Sequence, residues 1–180
     1  MKPPNNPLFR RLAACLRIAA IVLATWWTGS ADAEQTNALP SQMSEALVII
    51  VNKGNPVENL SIEELRKHFR MDLERWPDGR KNTVLMLPPS SPERDAVLKL
   101  VYDSNESGFK KHFLLGAYAG KIHSEPKELA NSTNMRKFIF NVPGAIGYVR
   151  ASQVDDTVKV LKIDGRLPGD AGYGLKLAAK

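Results

Sequence analysis

Cysteine is almost absent from this sequence of 180 residues, in which Cys15 is the single one. A disulfide framework needs pairs of cysteines, so the sequence excludes the class of small exported proteins that disulfides hold together. Long apolar runs are also scarce. The run at 18–27 is about half of the roughly 20 residues that a membrane-spanning helix requires. Packing around one hydrophobic core therefore has to stabilise the fold.

The first 33 residues nevertheless have the pattern of a secretory signal peptide. A basic start precedes the apolar run, and Ala31-Asp32-Ala33 supplies the small residues typical of a cleavage site. Cleavage after Ala33 would leave residues 34–180 in the periplasm or outside the cell, without Cys15 and without a stable membrane span. Retention of this segment as an uncleaved anchor is the alternative, and both remain open.

The surplus of basic residues does not indicate a nucleic-acid partner. The formal net charge is +6, and the predicted signal peptide holds four basic residues and one acid, so about +3 remains for the rest of the chain. Basic residues there alternate with acids, as at Glu63, Glu64, Arg66 and Lys67. This mixture is typical of a solvated helix face.

Patterns of catalytic and metal-binding residues are missing as well. His68, His112 and His123 lie far apart and lack the spacing of zinc ligands. No serine stands in a nucleophile elbow, and the glycines at 169–174 lack the preceding strand and following helix that a dinucleotide loop needs. We therefore predict a non-enzymatic protein with no catalytic residue, no metal and no cofactor.

Apolar periodicity predicts one α/β domain over residues 46–165. A polar leader at 34–45 precedes this domain, and a loose tail at 166–180 follows it. The predicted strands are 46–51, 83–87, 145–149 and 157–163, and the predicted helices begin near Ser61, Ser91, Phe109 and Met135. This order of elements indicates a mixed, largely parallel sheet flanked by helices.

One helix start has the chemistry of an anion site. The predicted strand at 83–87 leads through a short loop to Ser90, Ser91 and Pro92, where a helix begins. Unpaired backbone N–H groups and the helix dipole attract negative charge at such an end. We expect Ser90 and Ser91 to donate hydroxyls to a small anion and Arg94 to supply a positive charge. The alternative is that Ser91 only caps its own helix.

Two stretches near the ends of the predicted domain carry a family resemblance. Residues 141–149 read NVPGAIGYV and residues 159–165 read KVLKIDG, while the entry at 47–56 reads LVIIVNKGNP. Together they resemble the phosphate-binding type of ABC-transporter substrate-binding protein. The resemblance covers about residues 46–165. It implies an α/β fold, namely a single lobe of the type II periplasmic-binding-protein fold, whereas full-length members close two lobes around a cleft.

The resemblance also implies a phosphate-like anion as the ligand. The family's ligand loop has Ser-Gly-Thr at a helix start, and Ser91, Pro92 and Glu93 stand there in this sequence, with Leu87 in place of an upstream basic residue. We expect a low-affinity anion binder linked to phosphate uptake, with an envelope protein or a homodimer closing the cleft. The alternative is an accessory module of the cell envelope that binds a protein partner and no small ligand.

Overall fold

The computed structural model of the protein describes residues 46–177, which hold one sheet of five strands, one of two strands, and four α-helices. The strands are β1 Leu47–Asn52, β2 Asn59–Leu60, β3 Thr83–Met86, β4 Lys127–Glu128, β5 Ala145–Arg150, β6 Val158–Val160 and β7 Lys162–Ile163. The helices are α1 Ile62–Phe69, α2 Pro92–Leu100, α3 Glu106–Tyr118 and α4 Ser132–Asn141, with a short 3₁₀ helix at Ala151–Gln153.

The main sheet has the strand order β4-β3-β5-β1-β6. β3 pairs in parallel with both β4 and β5, whereas β1 pairs antiparallel with β5 and with β6. Four of the five strands therefore run in one direction and β1 opposes them, which confirms the predicted mixed, mostly parallel sheet. β2 and β7 form the separate two-stranded parallel pair.

Strand β1 lies at the centre of the hydrophobic core. Its apolar residues from Leu47 to Val51 are at most 1% exposed, and β5 next to it is equally buried from Ala145 to Val149. Neighbouring strand residues point to opposite faces of a sheet, so both faces must be covered here. Helix α4 packs against both of these strands, and α2 contacts β5.

The two helices that were predicted to begin near Ser61 and Ser91 do begin there. Ser61 accepts a hydrogen bond from Glu64 N–H at 3.2 Å, and the Glu64 carboxylate accepts one from Ser61 N–H at 2.8 Å, which completes the capping box at the start of α1. Ser91 caps α2, with Pro92 in its first turn. These local signals fixed the helix starts correctly.

The single strand predicted at 157–163 is divided in the structure. Leu161 separates β6, which pairs with β1, from β7, which pairs with β2. Its N–H still donates to the Ile49 carbonyl at 3.0 Å. The chain thus passes from one sheet to the other, which the continuous apolar pattern does not reveal because both halves are partly buried.

Two glycines allow close packing around β5. A Cβ on Gly144 would stand 2.1 Å from the Lys81 carbonyl oxygen, and a Cβ on Gly147 would stand 2.8 Å from the Met135 sulfur. The Gly144 carbonyl also accepts hydrogen bonds from Thr83 N–H and from the Trp76 indole. The absence of a side chain at these two glycines is what permits the close approaches.

The predicted loose tail at 166–180 is wrong for the residues that the structure describes. Tyr173, Leu175 and Leu177 are buried, and the Tyr173 hydroxyl donates to the Leu47 carbonyl at 2.8 Å. Leu47 N–H donates to the Leu175 carbonyl at 3.0 Å. The apolar residues alternate over 173–177, as expected for a segment with one face on the core, but the preceding glycines and proline obscure this short pattern.

The predicted signal peptide at 1–33 and the predicted leader at 34–45 lie outside the described residues, as do residues 178–180. Among residues 46–177, no helix is both long enough and apolar enough to cross a membrane.

Candidate functional site

The candidate site lies where β3 and β5 end side by side. The two strands pair in parallel, with Thr83 opposite Ala145 and Val84 opposite Ile146, so their carboxyl ends share one edge of the sheet. The chain leaves β3 through the loop 87–91 and enters α2, whereas β5 ends at Arg150. Ligands of open α/β sheets bind outside such carboxyl ends.

Ser91 is engaged as the cap of α2. Its hydroxyl oxygen accepts a hydrogen bond from Arg94 N–H at 3.4 Å, and the hydroxyl donates to the Pro88 carbonyl at 3.0 Å. Ser90 precedes it with an exposed side chain and a φ of 68°, in the left-handed region. The predicted serines are therefore adjacent at the helix start, and Ser90 is the more accessible of the two.

Arg94 points away from solvent and into a network of acceptors. The residue is 4% exposed, and its Nε and Nη2 donate to the two Glu106 carboxylate oxygens at 2.9 Å each. Nη1 donates to the Leu87 carbonyl at 2.6 Å and to Glu128 at 3.3 Å. The guanidinium also lies over the Phe109 ring, 5.2 Å from its centroid. These contacts occupy Arg94 in holding the loop 87–91.

Sequence reasoning missed the arginine that does lie beside the helix start. Arg150, the last residue of β5, donates from Nε to the Glu93 carboxylate in an ion pair. The Glu93 side chain is 11% exposed and that of Arg150 is 31% exposed. The parallel pairing of β3 and β5 brings these residues together although they are far apart in sequence. Only the order of the strands in the sheet, which the sequence does not reveal, could have indicated the contact.

The charge balance at this helix start is therefore mixed. Backbone N–H groups and the Arg150 guanidinium favour an anion, whereas the Glu93 carboxylate already pairs with Arg150 and Asp95 adds a second negative charge to the same turn. Pro92 provides no N–H. A small oxyanion at this edge would compete with Glu93 for Arg150, which makes tight binding by these residues alone unfavourable.

Tyr148 holds the first residue of the loop 87–91. Its hydroxyl accepts a hydrogen bond from Leu87 N–H at 3.0 Å, and burial raises the pKa of this tyrosine well above its usual value. The hydroxyl therefore stays protonated and neutral at physiological pH. Together with Arg94, which binds the Leu87 carbonyl, it fixes both backbone groups of the residue that begins the loop.

The three histidines are separate in the structure. His68 is buried against Trp76, His112 is partly buried beside Phe113, and the side chain of His123 is 72% exposed. Among residues 46–177, no three His, Cys, Asp or Glu side chains are grouped as a metal would require.

Comparison with known proteins relates this fold to substrate-binding proteins. The family model described as "PBP superfamily domain" matches residues 35–176. The phosphate-binding protein PstS of Bacillus subtilis (strain 168) is 32% identical over 120 residues, which are 66% of this chain and 36% of that protein.

Solved structures show the same fold at lower identity. A putative phosphate ABC transporter substrate-binding protein from Clostridium perfringens, solved with bound phosphate, has a TM-score of 0.57 at 20% identity, over 71% of this chain and 49% of that one. An ABC-type phosphate transport receptor from Vibrio cholerae has a TM-score of 0.53 at 19% identity, over 71% and 50% of the two chains.

The chain thus spans between about a third and a half of the length of these relatives. The family match runs to residue 176 and so includes the docked segment 173–176. The α/β architecture is that of one lobe of a periplasmic-binding-protein-like fold, as the sequence resemblance implied. The match covers well over half of the residues, and the chain therefore belongs to the family of PBP superfamily domains.

Proposed function

We propose that this protein is an exported, non-enzymatic binding domain that holds a phosphate-like oxyanion weakly at the start of α2. The observation that carries the proposal is the position of Arg150 beside the first turn of α2, at the carboxyl edge of two parallel strands. The relatives support the ligand class, since they are named as phosphate-binding proteins and receptors.

In the proposed site, the anion lies next to Ser90 and Ser91 and draws towards it the Arg150 N–H groups that have no partner among residues 46–177. A guanidinium has five N–H donors, and a tetrahedral oxyanion can accept two of them in parallel. Arg94 acts as a positioning residue, because its hydrogen bond to Leu87 holds the loop that presents the serines.

Weak affinity follows from two features. The chain spans about half of the two-lobed relatives, and one lobe supplies about half of the contacts to a ligand in a cleft. If a complete cleft reaches a micromolar constant, about −8 kcal/mol, half of that free energy corresponds to roughly millimolar binding. Competition from the Glu93 carboxylate weakens binding further.

Calorimetry of the full chain with phosphate and with sulfate tests this proposal. Arg150→Gln should abolish binding, and Glu93→Gln should strengthen it several-fold, because the second change releases Arg150 from its internal partner. Arg136→Gln is the matched control. Arg136 also pairs with a carboxylate, that of Asp155, but it belongs to α4 and not to the candidate site. Its affinity should equal that of the unchanged chain.

Three results would overturn parts of the proposal. Micromolar binding by the monomer would contradict the half-site argument. Equal affinity of Arg150→Gln and the unchanged chain would exclude this site. No heat of binding with tens of millimolar phosphate or sulfate would contradict the proposed oxyanion ligand and favour the second candidate function.

That second candidate is a cell-envelope module that binds a protein and no small ligand. The internal pairing of Glu93 with Arg150, and of Arg94 with Glu106, favours it because these two of the three charged side chains in the first helical turn are satisfied within the fold. On this alternative, Ser91 does nothing beyond capping α2.

A further inference from the structure

A small cavity lies beyond the amino ends of β3 and β4, at the end of the sheet opposite the candidate site. Residues of the segments 71–75, 81–82 and 123–124 line about 200 Å³ there. At roughly 30 Å³ for each water molecule, this volume corresponds to about seven waters. A ligand of this cavity is therefore a small molecule and not a peptide.

Two cations oppose one another at the wall of this cavity. Arg75 and Lys81 form an antiparallel bridge, and the backbone hydrogen bonds on both sides of it make them a non-hydrogen-bonded pair. The side chains of such a pair lie close together, and like charges there are destabilising. Among residues 46–177 neither side chain has a carboxylate partner, since the nearby Asp78 pairs with Arg80. Arg75 donates one hydrogen bond, from Nη1 to the Gly79 carbonyl at 2.8 Å.

A buried amide in the same wall has an oxygen without a donor. Asn82 is 0% exposed, and its Nδ2 donates to the His68 carbonyl at 2.8 Å and to the Leu73 carbonyl at 2.9 Å. These two acceptors fix the orientation of the amide. The remaining atom, Oδ1, receives no hydrogen bond from any of residues 46–177. Buried carbonyl oxygens are normally satisfied, so this one indicates a donor from a bound molecule.

The cavity also has one carboxylate in its lining. Glu74 lies with its Oε1 3.8 Å from His123 Nε2, and its side chain is 55% exposed. A simple anion would be attracted by Arg75 and Lys81 and repelled by Glu74, and a simple cation would experience the reverse. A molecule that carries both charges matches the whole lining.

We propose that this cavity binds a small zwitterion, namely a free amino acid. Its carboxylate pairs with Lys81 and Arg75, whose opposed charges it neutralises. Its ammonium group has three donors, which reach the Glu74 carboxylate and Asn82 Oδ1. The bound molecule thus relieves the repulsion between the two cations and gives the buried amide oxygen its donor. The inference goes beyond the proposed anion site and does not depend on it.

Nuclear magnetic resonance of the ¹⁵N-labelled full chain, titrated with L-alanine up to about 50 mM, tests this proposal. The backbone amide signals of residues 71–75, 81–82 and 123–124 should shift and reach saturation. Those of residues 87–94, at the candidate anion site, should not. Acetate and ethylammonium each carry one of the two charges of alanine, and each should bind at least about tenfold more weakly.

Two variants test the roles of the charges. Lys81→Gln should weaken alanine binding about tenfold, and it should not lower the melting temperature, because it removes one of two opposed cations. Glu74→Gln should weaken the binding of alanine but strengthen that of acetate, since the lost carboxylate attracts the ammonium group and repels a lone anion. Lys111→Gln is the matched control, because Lys111 is an exposed lysine of α3 outside the cavity.

Four results would overturn the proposal. The first is the absence of any saturable shift with alanine, and the second is acetate that binds as tightly as alanine. The third is equal affinity of Lys81→Gln and Lys111→Gln for alanine. The fourth is a set of shifts confined to residues 87–94 and Arg150, which would assign alanine to the candidate anion site.

Discussion

The imidazole of His68 lies flat against the indole of Trp76, with ring centroids 4.2 Å apart and planes inclined by 23°. Both residues are buried, at 4% and 2% exposure, and His68 Nδ1 has no hydrogen-bond partner among the described residues. Burial lowers the pKa of His68 from 6.5 to about 4, and the nearby Glu64 carboxylate offsets only part of that shift. The folded protein therefore holds this imidazole neutral.

We expect acid to destabilise the fold through His68. The unfolded chain binds a proton on this residue near pH 6.5, but the folded chain does so only near pH 4. The free energy of unfolding should therefore lose roughly 3 kcal/mol as the pH falls from 6.5 to about 4. Above pH 6.5 this residue is neutral in both states, so its contribution to the free energy of unfolding no longer changes with pH. Urea unfolding at a series of pH values measures this slope.

Two variants separate His68 from the other titrating groups. His68→Phe keeps a ring on Trp76 but cannot bind a proton, so its stability should fall less steeply between pH 6.5 and 4. His123→Gln should retain the full slope, because that side chain is 72% exposed. A slope unchanged in His68→Phe would assign the acid sensitivity to carboxylates instead.

The sequence was most informative where a local signal sufficed. The caps formed by Ser61 and Ser91 depend only on contacts within three residues along the chain. Both helices begin where they were predicted to begin. The unbroken apolar run of β1 predicted burial on both faces, which needs no knowledge of its neighbours. The β2 and β4 strands, of two residues each, carry no such signal.

The site was less predictable because its contacts join distant segments. Arg150 meets Glu93 only because β5 pairs with β3, and Arg94 is occupied only because Glu106 and Glu128 converge on it. Neither partnership has a sequence spacing that could reveal it. The position of the helix start was predictable from the sequence. Which of its charged side chains are already paired depends on the tertiary structure.

Deletion of residues 166–180 should strongly destabilise the domain. It removes three buried side chains, those of Tyr173, Leu175 and Leu177, and two hydrogen bonds to Leu47. Each such side chain contributes about 1.5 to 3 kcal/mol when fully buried, so several kcal/mol are lost. Thermal unfolding measures the change.

Point substitutions refine that result. Leu175→Ala should cost about 2 to 5 kcal/mol, because it removes a side chain in the core. Leu167→Ala is the control, since Leu167 is 41% exposed, and it should change stability by less than about 0.5 kcal/mol. Equal melting temperatures for the deletion variant and the unchanged chain would mean that the segment does not dock in solution.

Arg94 should matter more for stability than an arginine of the surface. Arg94→Met leaves the Glu106 carboxylate and the Leu87 carbonyl without their donor, and we expect a loss of about 3 kcal/mol. Arg66→Met removes the pair with Glu63, whose side chain is 68% exposed, and a long hydrogen bond of 3.4 Å to the Leu100 carbonyl, and should cost about 1 kcal/mol. Urea unfolding of both variants provides the comparison; similar losses would contradict the structural role of Arg94.

The three glycines Gly144, Gly147 and Gly174 should differ in their tolerance of alanine. At Gly144 the new Cβ would meet the Lys81 backbone oxygen at 2.1 Å, and backbone cannot yield without disturbing the hydrogen bond from Thr83 N–H to the Gly144 carbonyl. We expect Gly144→Ala to cost about 3 kcal/mol. At Gly147 the nearest atom is the Met135 sulfur at 2.8 Å, in a flexible side chain, so about 1 kcal/mol is expected.

Gly174→Ala is the control for this comparison. No atom lies within 4 Å of the position that its Cβ would occupy, and its φ lies outside the left-handed region. Alanine there should leave stability unchanged or raise it by up to about 0.5 kcal/mol, because it restricts the unfolded chain. Chemical unfolding of the three variants should give the order Gly144, Gly147, Gly174 from most to least destabilised. A Gly144→Ala variant as stable as Gly147→Ala would contradict the rigid approach of β5 to Lys81.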